Sequence, residues 1–233
     1  MDNILSVPIQ FLIMYAILIP CTVLFMYFKF TKRALLETVF KGLATWVIFG
    51  GALFILLDVP ISIFALLIVA GLVMGMAGDI ALSLPNPGFT SGMLFFGLGH
   101  VCYIISLIIK SEVVLIAIPA FVVLYTVFLI VYFKLGIKPP ESLKIPVIMY
   151  SIIIISMLSL AVTMPFSQFP GGLILLFAGI FFVISDAILA YNCFPNLRCL
   201  NSNLTPADRR GIVSLSCYFF GQSLFAVSIY YFS

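Results

Sequence analysis

The sequence predicts an all-α fold, a polytopic membrane protein built as an eight-transmembrane-helix bundle, and three observations predict it. Charge is scarce: 8% of the 233 residues are charged and 64% are hydrophobic, against about 25% charged in an ordinary soluble domain. The apolar residues come in continuous runs, not in the alternation of a barrel strand. Each run is near the ~20 residues with which an α-helix crosses ~30 Å of hydrocarbon. A soluble core of this size could not hide so much apolar surface; lipid can solvate it.

The spans follow in order from the charges, Pro/Gly clusters and polar runs that cut the chain. The first, 7–28, is long enough to cross and stops at Lys29. Residues 1–10 carry no basic region, so no cleavable signal peptide is expected. The second, 38–57, stops at Asp58, and the third, 60–83, ends at the turn carrying Pro85 and Pro87. The fourth, 89–109, stops at Lys110. The fifth, 112–133, runs from Glu112 to Lys134, and the sixth, 145–164, from Lys144 to the residue before Pro165. The seventh, 171–193, opens on Gly171-Gly172. The eighth, 211–232, follows the one long polar stretch, 195–210. With every other connection short, residues 1–233 read as a single transmembrane domain.

Orientation follows from the basic residues. Lys29, Lys32, Arg33 and Lys41, then Lys134, Lys138 and Lys144, then Arg198, Arg209 and Arg210 fall on the odd-numbered loops. Only Lys110 falls on the other side, so ten of the eleven basic residues share one face. An integral multi-pass protein (of the inner membrane, in a bacterium) is expected, with basic loops in the cytoplasm and both termini on the non-cytoplasmic side.

Several classes find no support. No basic patch with aromatic interleaving exists for nucleic acid. No Gly-x-Ser-x-Gly elbow, Walker loop, His-Glu-x-x-His or kinase element appears. Cys21, Cys102 and Cys217 lie inside spans, where a thiol acts as a small apolar group. Cys193 and Cys199 lie in or near a loop expected in the reducing cytoplasm, so no disulfide is expected. One histidine in the chain makes a Cys/His metal site improbable.

Two stretches resemble one another. The third span ends Ala77-Gly78-Asp79-Ile80-Ala81-Leu82 and the seventh Ile184-Ser185-Asp186-Ala187-Ile188-Leu189. In the spans that follow, Gly99-His100 and Gly221-Gln222 occupy corresponding places. A 4 + 4 parallel pseudo-repeat would account for both matches. Short matches in so restricted an alphabet also arise by chance, and the sequence leaves this open.

The chemistry concentrates in a few residues. Of the eight carboxylates, Asp2, Glu37, Asp58, Glu112, Glu141 and Asp208 sit in tails or loop margins. Asp79 and Asp186 are each followed by more apolar helix, roughly 7–10 Å inside the basic end of their spans at ~1.5 Å per residue. A charge there costs several kcal/mol unless a cavity or partner receives it. Gly71, Gly75 and Asp79 recur at helical spacing, so Asp79 is expected to point into the bundle along a small-residue stripe. Ala178, Phe182, Asp186 and Ala190 share a face in the same way. His100, the only histidine, shares a face with Phe96 and Tyr103. Ser214, Tyr218, Gln222 and Ala226 form a polar stripe in the eighth span, suited to interhelical hydrogen bonds or to a site. Asp79, His100, Asp186 and Gln222 are expected to line one pocket open toward the basic side.

The residues Gly78 to Leu82, Phe89, Gly92-Met93, Phe95-Phe96-Gly97, His100 and Tyr103 resemble the signature of the YhhN family, the lysoplasmalogenases. Phe182 to Ala190 and Tyr218 to Gln222 resemble its second block; Gly221 stands where alanine is commoner. The resemblance implies hydrolysis of the vinyl-ether bond of a lysoplasmalogen, such as lysoplasmenylethanolamine or lysoplasmenylcholine, to a fatty aldehyde and a glycerophospho-alcohol. That chemistry protonates the β-carbon and adds water to an oxocarbenium-like ion, which two aspartates, Asp79 and Asp186, could divide as acid and base. His100, Tyr103, Ser185, Tyr218 and Gln222 are then expected to bind or orient substrate. Lys134, Arg209 and Arg210 are candidates for the phosphate. The implied partners are a lysophospholipid and membrane lipid, with no cofactor and no metal required. The alternative is a small-solute or proton-coupled transporter with Asp79 and Asp186 as carrier groups.

Overall fold

The computed structural model describes residues 8–31, 33–83, 88–194 and 209–233. Asp2, Lys32, Arg198, Cys199 and Asp208, for which the sequence sets expectations, lie outside the described residues, as do the side chains of Arg209 and Arg210. Among the described residues the fold has eight α-helices: α1 (Ile9–Phe30), α2 (Ala34–Ile55), α3 (Ile63–Ser83), α4 (Gly88–Lys110), α5 (Ala117–Lys134), α6 (Lys144–Ser167), α7 (Gly171–Cys193) and α8 (Arg209–Phe232). All eight are long and apolar enough to cross a membrane, and there is no strand among the described residues. The expected all-helical, eight-span architecture is therefore the one observed.

Boundaries differ in small ways. A 3₁₀ turn, Val114–Ile116, precedes α5. The sixth helix does not stop before Pro165 but runs through it to Ser167, since proline keeps a helical φ and here only the final turn follows it. The second helix starts early enough that Lys41 lies two turns inside it.

Helices α3, α4, α7 and α8 form the centre, with α1–α2 packed on one side and α5–α6 on the other. The eighth is the most buried span and α5 the least; α5 packs chiefly on α6. Between the central helices lies an aromatic cluster. Tyr103 stacks on Phe225 with centroids 3.9 Å apart and planes 7° from parallel, and Phe96 meets Tyr218 edge to face at 5.6 Å. Such pairs stabilise beyond the area they bury.

Several contacts of one half recur in the other. Helix α3 packs closest to α4 as α7 does to α8, and α2 against α8 is matched by α6 against α4. A Cβ on Gly99 would lie 3.1 Å from the Gly71 carbonyl oxygen, and one on the corresponding Gly221 would lie 3.3 Å from the Ala178 carbonyl oxygen. Tyr103 and Phe225, which stack, sit three residues after His100 and Gln222 respectively. The helices of each half thus make the same close approach at the same register.

One expectation fails here. Cys193 is disulfide-bonded, although both thiols at that end were expected to stay reduced. Its partner is not among the described cysteines, because Cys21, Cys102 and Cys217 are free. Expected compartment says nothing of which thiols the fold brings together, and proximity decides pairing.

Candidate active site: two aspartate networks

Asp79 ends a chain of polar groups that ties four helices. Tyr103 of α4 donates to Gln222 Oε1 at 2.7 Å, Gln222 Nε2 donates to the Tyr218 hydroxyl at 3.1 Å, and Tyr218 donates to Asp79 Oδ2 at 3.0 Å. Thr45 of α2 donates to the same oxygen at 3.1 Å, and Lys41 Nζ lies 3.0 Å from Asp79 Oδ1. Each donor in the chain points the same way, toward the carboxylate. The small-residue stripe makes the room: a Cβ on Gly71 would collide with the Tyr103 ring, and one on Gly75 with the Gln222 amide. The expectation that Asp79 turns into the bundle is met, with 11% of its side chain exposed.

Asp186 lies in a second, smaller network. Tyr150 of α6 donates to Asp186 Oδ2, and His100 Nε2 lies 3.1 Å from the same phenol and 3.7 Å from the carboxylate oxygen. The phenol has one proton and directs it to Asp186, so toward His100 it must accept; Nε2 then carries the ring hydrogen. His100 is buried, with Phe182 packed edge to face at 5.0 Å, and its Nδ1 has no hydrogen-bond partner among the described residues. Asp186 Oδ1 accepts no hydrogen bond from the described residues.

Asp186 and Tyr150 open onto an apolar chamber of about 110 Å³ between α4, α5, α6 and α7. Phe96, Phe128, Val183 and Ile154 line it beside them; toward the basic side it reaches Ile137 and Phe194. Its wall is largely hydrocarbon, with Asp186 and Tyr150 set into it beside Tyr132 and Ser151, and His100 stands behind the Tyr150 phenol outside the wall. Ligand sites commonly take this form, apolar with a few convergent polar groups.

The expected single pocket is not what forms. His100 joins Asp186 rather than Asp79, while Tyr103, Tyr218 and Gln222 join Asp79. Asp79, His100 and Gln222 are absent from the chamber wall. The rings of Phe96 and Phe182, each packed against Tyr218, lie where a shared cavity would have to open. The physical reason is the crossing of the halves: the last helix of each half serves the aspartate of the other. Ser185 is also elsewhere, its oxygens engaged with Ser214 of α8.

Three participants escaped sequence reading. Lys41 groups with the loop charges in the sequence although it already falls inside 38–57; α2 begins at Ala34 and sets it two turns within the helix, and a lysine inside an apolar span is the signal that marks it. Thr45 and Tyr150 gave none, since single hydroxyl residues in a span look alike whether they face lipid or a partner. Lys134 is exposed at the end of α5, on the chamber's basic side. No group of three or more potential metal ligands occurs among the described residues.

The model of the YhhN family matches residues 36–229, from the first turn of α2 to the last turns of α8. No curated protein and no solved structure is detectably similar to the chain.

Proposed function

The chain belongs to the YhhN family, and on that premise we propose that it is an intramembrane hydrolase that cleaves the vinyl-ether bond of lysoplasmalogens at Asp186. Membership supports a lysoplasmalogenase-like membrane protein; the substrate and the residue roles are our reading. The observation that carries it is the Asp186–Tyr150 pair, backed by His100, opening onto an apolar chamber in the leaflet of the basic loops. A vinyl ether is weakly polar and lies just below the glycerol of a single-chain lipid, so hydrocarbon walls with one acid suit it.

In this reading the Asp186 carboxyl enters protonated and gives its proton to the β-carbon of the C=C–O unit, leaving a carboxylate beside the oxocarbenium ion. Water adds to the α-carbon and returns a proton to Asp186. The hemiacetal then collapses: its hydroxyl proton leaves, the glycerol oxygen is protonated, and aldehyde and alcohol separate. Tyr150 holds Oδ2 and so leaves Oδ1 as the oxygen that exchanges protons, while His100 fixes the phenol. Such positioned acid–base groups typically contribute 10²–10⁴ in rate. Asp79, engaged by Lys41, takes a positioning role in place of the reacting one. Lys134, Arg209 and Arg210 remain the candidates for the phosphate. Transport with both aspartates as carriers would need them on one pathway, and their separate networks weigh against it.

Purified protein given vinyl-ether and ester lysolipids side by side should release aldehyde from the vinyl ether alone. Asp186→Asn should lower that release by about 10²–10⁴ without loss of fold. No aldehyde from the unmodified protein would end the proposal.

A further inference from the structure

The chamber beside Asp186 is too shallow for a whole lipid chain. Its lining runs from Phe194 and Ile137 at the basic end to Ile154, barely a turn beyond Tyr150. The rest of an aliphatic chain must lie elsewhere, and a second depression supplies the place. Between α4 and α6, on the face turned to lipid, a groove of about 320 Å³ runs from Thr90 and Pro146 to Val101 and Ile153. That is at the lower end of the ~300–1,000 Å³ usual for small-molecule sites. Apart from Thr90 and Tyr150 its walls are apolar, and Gly97 forms part of them.

Met93 and Tyr150 line both the groove and the chamber. The phenol that holds Asp186 therefore has its other side in a lipid-facing trough, and an unbranched methionine is the other shared wall, a side chain that adapts readily to a guest. From Tyr150 the groove continues about one turn deeper along α6, to Ile153, and about two turns deeper along α4 than Met93, to Val101. A lipid with its linkage at Tyr150 would send its chain that way, toward the mid-membrane.

We propose that the α4–α6 groove seats the hydrocarbon tail of a single-chain lipid, entered sideways from the bilayer, with the reacting end at Tyr150 and the far end left in the membrane. The inference rests on the hydrolase reading for its substrate and adds where the tail lies and what it selects. A groove open to lipid along its length grips the first carbons of a chain and ignores the last. Chain length should matter little among long-chain substrates, and a second chain has no seat.

Gly97 makes the test specific. A Cβ there would sit 3.7 Å from Tyr150 Cδ2 and 4.0 Å from Ile153 Cδ1, ordinary contact distances, so alanine fits without displacing a neighbour and a larger side chain would extend into the groove that Gly97 lines. Gly50 on α2 is a matched control, exposed and with nothing within 4 Å of an added Cβ.

The experiment has two arms. In the first, a single-chain alkyl-ether lysolipid with a mid-chain diazirine, which cannot be hydrolysed, is photolysed with the unmodified protein in nanodiscs and the labelled residues are located. Labels on α4 and α6 at Leu94, Leu98, Met149 or Ile153 are expected, competed by unlabelled lysolipid but not by a two-chain lipid. In the second, Gly97→Ala, Gly97→Leu and Gly97→Phe should raise KM for a long-chain vinyl ether progressively. Phe should raise it about tenfold or more, the effect of losing two or three buried methylenes, whereas Gly50→Phe stays at the unmodified value. Labelling confined to other faces, or a Gly97→Phe protein indistinguishable from Gly50→Phe, would overturn the inference. Competed labelling in the groove by a protein that releases no aldehyde would uphold the groove and remove the hydrolase.

Discussion

At Asp79 the Lys41 ammonium lies 3.0 Å from one carboxylate oxygen while Thr45 and Tyr218 engage the other. The two charges are largely removed from water, with 17% and 11% of their side chains exposed. Breaking such a pair from one side leaves a buried charge uncompensated, which typically destabilises by about 3–5 kcal/mol, whereas replacing both partners by apolar groups can be neutral. Lys41→Met should therefore lower the unfolding midpoint in detergent markedly, and Lys41→Met combined with Asp79→Leu should recover much of it. A Lys41→Met protein as stable as the original would show that the pair braces nothing. The same pair explains why the two aspartates diverge. Spacing put Asp79 and Asp186 on equal terms, but α2 brings a lysine to one and α6 brings a tyrosine to the other. Nothing in the local sequence around either aspartate announces which.

The packing of helix on helix sets what each position tolerates. On α4, Gly99 faces the backbone of α3, where a Cβ would stand 3.1 Å from the Gly71 carbonyl, while Gly97 two residues before it faces the open groove. Backbone cannot step aside as a side-chain tip can. Gly99→Leu should thus destabilise by about 1–3 kcal/mol, the usual range for overpacking, and Gly97→Leu by much less, read from thermal unfolding of the two proteins in one detergent. Equal losses would mean that the α3–α4 approach is looser than described. Helix existence was legible from composition throughout, because a ~20-residue apolar run has few other fates in a bilayer. Helix faces were legible only where small residues recur, as along Gly71, Gly75 and Asp79. Tyr150 was invisible because a helix with hydrophobic residues all round gives no stripe by which to tell a lining position from a lipid-facing one.

Across the whole molecule, the ten-to-one imbalance of basic residues is the ground on which we propose that the odd-numbered loops are cytoplasmic. Reporter fusions after Leu35, Pro140 or Asn203 should report cytoplasm, and a fusion at the C-terminus the opposite side. The Cys193 disulfide sits at the basic end of α7, and such bonds persist in oxidising compartments. Fusions reporting the basic loops outside would reverse the orientation and account for that bond. The sequence by itself determined the class and the eight spans, and it set the expectations for the side of the basic loops and the depth of two aspartates, because bilayer thickness and the cost of buried charge act on each helix separately. Only the tertiary structure decided which helices meet: that His100 serves Asp186, that Gln222 and Tyr218 serve Asp79, and that a groove and a chamber share the Tyr150 wall. Helices already satisfied in their own backbone hydrogen bonds are arranged by shape fit and a few interhelical contacts, and those depend on pairs of residues that lie far apart in the chain.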